Sequence, residues 1–192
     1  MQYNYSMSCG LAFVTNAGTV VSNGAEIQAN GRFGDWNLGA NIGYDHAAFA
    51  QNLTPPGGTS ILVGKGDGIG TPDWTVSLNA QYDFRLMEIP SFVRADYNYT
   101  SGFQRSAGPT SVGYNPYTYM GPAYGTWNGR LGATVRGVDW SLFVQNATNA
   151  KPWIGWGGGT TGSNSAAGTD SSRNTGTSIR PRSVGVQANY RF

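Results

Sequence analysis

The chain has 192 residues, enough for one domain, and its net charge of +2 is too small and too scattered to indicate a nucleic-acid partner. Only 11% of the residues are charged and 13% are aromatic, and no apolar run approaches the ~18 residues of a membrane helix. With 29 glycines, this composition favours an all-β protein and leaves a soluble sandwich, a secreted lectin and a membrane barrel open.

Seven segments alternate apolar and polar side chains with a period of two, which predicts strands with one apolar and one polar face. No segment shows the three-to-four-residue spacing of an amphipathic helix. The predicted strands are, approximately, residues 24–33, 36–45, 74–84, 93–100, 127–136, 139–145 and 182–192.

The connections between these strands alternate strictly between short and long. In an up-and-down antiparallel sheet, that order places every short turn at one edge and every long loop at the other, as in outer-membrane barrels. A soluble sandwich has no reason to sort its loops in this way. The short connections lie near residues 34–35, 87–89 and 137–138, and the long ones near 51–71, 104–123 and 149–177.

Aromatic residues gather at both ends of the predicted strands, and aliphatic residues occupy the middles. The segment from Trp74 to Phe84 would rise about 33 Å, or ~23 Å of height when tilted by about 45°, close to the apolar band of a barrel. Two aromatic girdles around an aliphatic belt are typical of two lipid–water interfaces. The girdle residues are Phe33, Trp36, Tyr82, Phe84, Trp140, Tyr190 and Phe192 at one end, and Tyr44, Trp74, Tyr97, Tyr99 and Trp127 at the other.

Charged residues lie on the opposite faces of these strands. They would be costly in lipid, so this face is expected to line a watery or plugged interior. The arginines there either guide anionic substrates or pair with acids on neighbouring strands or on a plug. The charged set is Arg32, Arg85, Arg94, Asp96, Arg130 and Arg191.

Five stretches, taken in order, resemble the carboxy-terminal part of a TonB-dependent outer-membrane receptor. Each stretch is weak alone, but their order and spacing cover most of the chain from Asn16 onward. They are Asn16-Ala-Gly with Ser22-Asn-Gly-Ala-Glu26, Thr71 to Phe84, Phe92-Val-Arg-Ala-Asp-Tyr97, Trp140-Ser-Leu-Phe-Val-Gln-Asn146 and Arg180 to Phe192.

The resemblance implies an antiparallel up-and-down transmembrane β-barrel segment in which residues 1–192 form an open curved sheet of about seven strands, part of a barrel of about 22. It implies a Gram-negative outer-membrane receptor whose full-length parent takes up a chelate, vitamin or oligosaccharide. Contact with TonB would be made only through an amino-terminal part, including a plug, that this chain lacks. The alternative is a complete small barrel with a structural or adhesive role. Neither reading implies an enzyme or a cofactor.

The last predicted strand ends on an aromatic residue after an apolar stripe. The resemblance implies that this strand is read by the barrel-assembly machinery and that its apolar face then contacts outer-membrane lipid. The residues of the proposed assembly signal are Val184, Val186, Ala188, Tyr190 and Phe192.

Aromatic residues also cluster inside the two later long loops. Exposed rings in external loops can stack on sugars or flat chelates, and they can equally pack the loops onto one another. Both interpretations remain open for Tyr114, Tyr117, Tyr119, Trp153 and Trp156.

Other candidate sites favour a structural interpretation. Asp45 and His46 are adjacent in a strand, so their side chains point to opposite faces and cannot readily form an acid–base pair. The stretch from Gly64 to Gly70 matches no phosphate-binding loop and predicts a flexible loop, and Asp67 alone cannot hold calcium. Cys9, the only cysteine, has no partner for a soft-metal site.

Overall fold

The computed structural model of this chain describes residues 2–6, 12–16, 18–55, 58–116, 119–157 and 175–190, all as strands, turns and loops. Within these ranges no helix is long and apolar enough to cross a membrane. The strands are β1 (Gln2–Ser6), β2 (Ala12–Asn16), β3 (Val20–Phe33), β4 (Trp36–Phe49), β5 (Trp74–Leu86), β6 (Ile89–Thr100), β7 (Phe103–Gln104), β8 (Met120–Gly121), β9 (Tyr124–Val135), β10 (Val138–Gln145), β11 (Trp153–Gly157), β12 (Thr175–Ser178) and β13 (Ser183–Tyr190).

Seven of these strands form one antiparallel sheet in the order β13-β10-β9-β6-β5-β4-β3. Each strand pairs with the next long strand along the chain, so the predicted up-and-down arrangement of seven strands is confirmed. The sheet is open, because β3 and β13 are its terminal strands and do not pair with each other in the described chain. Among the residues that the structure describes, β1 pairs only with β2, and the remaining strands form two short hairpins inside the long loops.

The first two sheet strands are longer than their alternation predicted. β3 begins at Val20 rather than near Gly24, and β4 continues to Phe49 rather than ending near Asp45. The extra pairs run from Val20 opposite Phe49 inward. Phe49 and Ala47 are each only 5% exposed, so burial beneath the following loop extends the ladder beyond the alternating stripe.

The three short connections are two-residue turns with positive φ angles. Met87 and Glu88 have φ of 48° and 67°, Arg136 and Gly137 have φ of 51° and 78°, and Gly34 has φ of 61°. Turns of this kind match the right-handed twist of the strands that they join. They keep this edge of the sheet, here called the short-turn edge, tight. The opposite edge, from which residues 50–73, 101–123 and 146–182 extend, is called the long-loop edge.

The pairing register keeps one apolar and one polar face across the sheet. Leu78 lies opposite Ala40 on one side and opposite Tyr97 on the other, while the next residue, Asn79, lies opposite Gly39 and Asp96. The large side chains of the apolar face remain exposed, and in the described residues only Ala47 and Phe49 form a buried apolar core. An exposed apolar face of this extent is typical of a surface that contacts lipid or another protein.

Ring pairs form at both ends of the apolar face. At the short-turn edge the ring centroids of Trp36 and Tyr82 are 4.9 Å apart, and Phe84 lies 6.1 Å from Tyr82. The pairs at the long-loop edge, each with centroids 4.7 Å apart, are Tyr44–Trp74 and Tyr97–Trp127. The aromatic residues therefore sit where two membrane interfaces would require them.

The assignment of faces predicts unequal effects of two neighbouring substitutions. In the full-length parent reconstituted in phospholipid vesicles, Leu78→Arg should lower the free energy of unfolding by about 2–4 kcal/mol, because it places a cation in the lipid. Asn79→Arg should cost much less, because that side chain faces Asp96 across the strand pair. Denaturant titration of both variants measures the difference, and equal losses would contradict the assignment.

Candidate ligand-binding region at the long-loop edge

Three long connections leave the sheet at the same edge, because the strands alternate in direction and the other edge carries only two-residue turns. We call them loop A (residues 50–73), loop B (residues 101–123, containing β7 and β8) and loop C (residues 146–182, containing β11 and β12). The three long loops therefore lie together at the long-loop edge, and binding residues are most often found on loops.

Loops A and B are joined by the buried carboxylate of Asp67. Its Oδ2 accepts hydrogen bonds from the backbone N–H of Gly64 at 2.7 Å and of Gly108 at 2.9 Å. The residue is only 7% exposed, so both bonds are shielded from water. Residue 108 must be glycine in this arrangement, since a Cβ there would overlap the carboxylate. Asp67 thus stabilises a contact between segments 41 residues apart.

Further hydrogen bonds reinforce this junction. The Gly68 N–H donates to Oε1 of Gln104 at 2.8 Å, and the Ser111 hydroxyl donates to the Leu62 carbonyl at 2.7 Å. The Val112 N–H donates to the Ile61 carbonyl at 2.9 Å. Loops A and B therefore form one hydrogen-bonded unit.

Asn146 holds the base of loop C. Its Nδ2 donates to the carbonyls of Ala150 and Arg180 at 2.9 and 3.0 Å, and its Oδ1 accepts from the Ala150 N–H at 2.8 Å. Its own N–H donates to Oδ1 of Asn128 on β9 at 3.0 Å. Asn146 is 5% exposed and has a φ of 49°, a left-handed conformation that asparagine tolerates better than most residues. Its hydrogen bonds bring the two ends of the loop together.

A recess of about 530 Å³ lies on the polar face beneath loop C. It presents amides, hydroxyls and charges of both signs together with two aromatic rings, which suits a polar ligand held by several hydrogen bonds. Its lining includes Asp96, Asn98, Tyr124, Thr126, Asn128, Arg130, Phe143 and Arg180.

Two arginines of the polar face form ion pairs with carboxylates. Arg94 donates to the carboxylate of Asp96 through Nε at 2.9 and 3.1 Å and through Nη2 at 2.6 Å. Arg85 lies 3.6 Å from Glu88 in an exposed pair near a short turn. The guanidinium of Arg130 lies 6.0 Å from the ring of Phe143. For Arg94 and Arg85, therefore, the structure shows an acid partner.

The loop aromatics are placed in different ways. Tyr114 and Tyr119 pack against each other edge to face with centroids 5.4 Å apart. Trp153 lies on β11 and is 51% exposed. Tyr117 lies outside the described residues, as does the side chain of Trp156. Ligand contact by this set stays a prediction.

The proposed assembly signal lies on the terminal strand β13. Val184, Val186 and Tyr190 are 73%, 64% and 65% exposed, and each lies opposite an apolar residue of β10. Ala188 lies opposite Trp140 on the same face, and Phe192 lies outside the described residues. Val184, Val186, Ala188 and Tyr190 thus share one face of β13, and the role of this strand in assembly stays a prediction.

Asp45 and His46 do not form a pair in the structure. Asp45 accepts a hydrogen bond from the Ser22 hydroxyl, whereas Nδ1 of His46 lies 3.1 Å from Oδ2 of Asp73. His46 and Asp73 are about half exposed, so this contact is a surface contact at the base of loop A. The two residues are 27 positions apart in the sequence, which explains why sequence periodicity did not indicate the contact.

The glycine-rich stretch of loop A encloses Asp67. The Gly66 N–H donates to the Phe49 carbonyl at 2.8 Å, and Gly66 and Gly70 have φ of 87° and 90°. These glycines allow the chain to fold around the carboxylate, which is a structural role rather than phosphate binding. The described residues contain no cluster of three or more metal-ligating side chains, and Cys9 lies outside them.

The junction of loops A and B predicts a coupled response to removal of Asp67. Asp67→Ala should raise amide hydrogen exchange in both loops by ~10–100-fold, because two buried N–H groups lose their acceptor. Asp67→Asn retains one side-chain oxygen and should have a smaller effect. Exchange followed by mass spectrometry should show strands β5 and β6 unchanged, and a response confined to loop A would contradict the coupling.

Comparisons with known proteins agree with this architecture. The fold is similar to the crystal structure of the ferric yersiniabactin uptake receptor FyuA from Yersinia pestis, with a TM-score of 0.63 and 15% identity. The match covers 92% of this chain and 24% of FyuA, so the chain spans about a quarter of that receptor's length. A search of curated proteins found no significant match. The family described as TonB dependent receptor-like, beta-barrel matches residues 2–150, and the chain belongs to this family.

Proposed function

We propose that this chain acts in the outer membrane of a Gram-negative bacterium as part of a receptor for TonB-dependent uptake of a small molecule. The observation that carries the proposal is the gathering of loops A, B and C at one edge, above a polar recess, in a sheet whose other face is apolar. A receptor needs such an arrangement: a ligand-binding mouth, a polar inner wall and a lipid-facing outer wall.

The open sheet favours action within a larger barrel. β3 and β13 each pair with a single neighbour in the described chain, and unpaired strand edges are costly in lipid. Strands of a full-length receptor would satisfy both edges, and its other parts would contact TonB. A complete small barrel is less favoured, because closure would require β3 to pair with β13.

The polar face favours a polar ligand. Within the recess, Asn98, Thr126 and Asn128 offer hydrogen bonds, while Arg130 and Arg180 offer positive charge. FyuA takes up ferric yersiniabactin, as its name states, and a ferric chelate is the first ligand class to test here. A vitamin or an oligosaccharide remains within the proposal, and the loop aromatics would then stack on the ligand.

Transport can be tested by shortening loop B in the full-length receptor. Replacing residues 103–121 with Asn-Gly should abolish TonB-dependent uptake of a panel of labelled ferric chelates, vitamins and oligosaccharides, because the mouth loses one of its loops. The matched control replaces Met87–Glu88 with the same Asn-Gly pair, which suits this two-residue turn and should leave uptake intact. Uptake that survives the loop B replacement, or that needs no TonB, would count against the proposal.

The assembly role of the last strand calls for a separate measurement. We expect deletion of Phe192, or Phe192→Asp, to reduce the amount of heat-modifiable, membrane-embedded receptor more than replacement of Arg191 by a polar residue. The physical basis is the aromatic interfacial anchor at the end of the apolar stripe on β13. Normal assembly without Phe192 would show that the strand is not the signal.

A further inference from the structure

Arg105 in loop B has a guanidinium group without a recorded acceptor. Its Nε and Nη2 atoms are buried from solvent, and neither has a hydrogen-bond partner in the described chain. The Oγ of Ser106, the next residue, is buried in the same way. Buried charged donors without an acceptor cost free energy, so most are paired in native proteins.

Arg94 provides a comparison within the same chain for the Nε and Nη2 atoms of a guanidinium. In Arg94 the same two atoms donate to the two oxygens of the Asp96 carboxylate, Nε to Oδ2 and Nη2 to Oδ1. The planar fork of arginine matches a carboxylate in this bidentate geometry. Arg105 carries the same fork, and none of the ion pairs in the described chain involves it.

The position of Arg105 is fixed without an acid. Its guanidinium carbon lies 5.6 Å from the ring centroid of Phe103, and its backbone N–H donates to the Tyr119 carbonyl at 2.7 Å. Gly121 leaves the space beside them, since a Cβ there would lie 2.9 Å from both Nε of Arg105 and the Phe103 ring. Gln104, the preceding residue, is bonded to Gly68 of loop A. The guanidinium is therefore positioned by the Phe103 ring, in space left by Gly121, on a segment fixed to loop A through Gln104.

We propose that Arg105 binds a carboxylate of the ligand that this receptor takes up, an inference that rests on the proposed function. The fork supplies two parallel N–H donors for a planar oxyanion, and its place in loop B lies at the edge where the ligand arrives. Because both nitrogen atoms are covered in this structure, a carboxylate reaches them only when the atoms that cover them move aside. Phe103 keeps the guanidinium oriented during this exchange through its cation–π contact.

Three variants of the full-length receptor, purified in detergent micelles, test the proposal. Arg105→Met removes the charge and the fork, and Arg105→Lys keeps the charge but loses the planar fork. Lys65→Met is the matched control, because it removes one positive charge from an exposed position in loop A at the same edge. The probe is ferric citrate, which carries carboxylates, compared with ferrioxamine B, a ferric hydroxamate chelate without one. Binding is followed by quenching of tryptophan fluorescence.

We expect the wild type to bind ferric citrate more tightly than ferrioxamine B. Arg105→Met should weaken ferric citrate binding by ~10–100-fold, the amount expected for loss of hydrogen bonds to a charged group. Arg105→Lys should fall between Arg105→Met and wild type, and Lys65→Met should stay within about twofold of wild type because exposed charges contribute little. Arg105→Met should also unfold at a denaturant concentration close to that of wild type, because it loses only the cation–π contact with Phe103 and leaves no protein acceptor unpaired.

Five results would overturn the proposal. Four concern binding: unchanged ferric citrate affinity in Arg105→Met, an equal loss in Lys65→Met, competition by inorganic phosphate as strong as that by citrate, and no saturable binding of ferric citrate. The fifth is a loss of stability in Arg105→Met larger than loss of the cation–π contact with Phe103 explains, because it would indicate an acceptor within the protein. The uptake measurement described above is separate, so the two failures are distinguishable: failure of the carboxylate site changes the binding results and leaves transport standing, whereas failure of the proposed function appears as uptake that is absent or needs no TonB.

Discussion

The register of the seven-stranded sheet is the constraint from which the other features follow. Ala40, Leu78, Tyr97 and Trp127 lie opposite one another along one row, and the next row contains Asn79, Asp96 and Asn128. A slip of a single residue between any two strands would carry a polar row into the apolar face. In a lipid environment such a slip would be far more costly than in water, so the alternation and the backbone pairing together specify one arrangement.

The sheet and the loops are stabilised by different interactions. Inside the sheet, backbone pairing fixes the strands, and side chains on the polar face are free to line a recess. The loops lack that ladder, and buried polar side chains replace it. Asp67 accepts hydrogen bonds from two N–H groups in different loops, and Asn146 donates to carbonyls at both ends of loop C. Each of these side chains is short, polar and shielded from water, where a hydrogen bond is stronger than at the surface.

Local patterns were sufficient for the sheet and insufficient for the loops. The seven strands and the alternation of short and long connections follow from period-two spacing, which is a property of neighbouring residues. The contacts of Asp67 with Gly108 and of His46 with Asp73 join residues 41 and 27 positions apart, and no spacing rule connects them. The extension of β4 to Phe49 was missed for the same reason, because it depends on burial beneath loop A rather than on alternation.

The arginines show why residue composition alone could not identify a binding group. On a strand, residues two apart share a face, so Arg94 finds its carboxylate in Asp96 within the same strand. Arg105 lies beyond the end of β7, where the chain offers no such neighbour, and the ring of Phe103 rather than an acid holds it in place. Arg94 and Arg105 thus differ in the source of their hydrogen-bond acceptor. Asp96 of the same strand gives Arg94 a structural role, whereas a ligand carboxylate would give Arg105 a role in recognition.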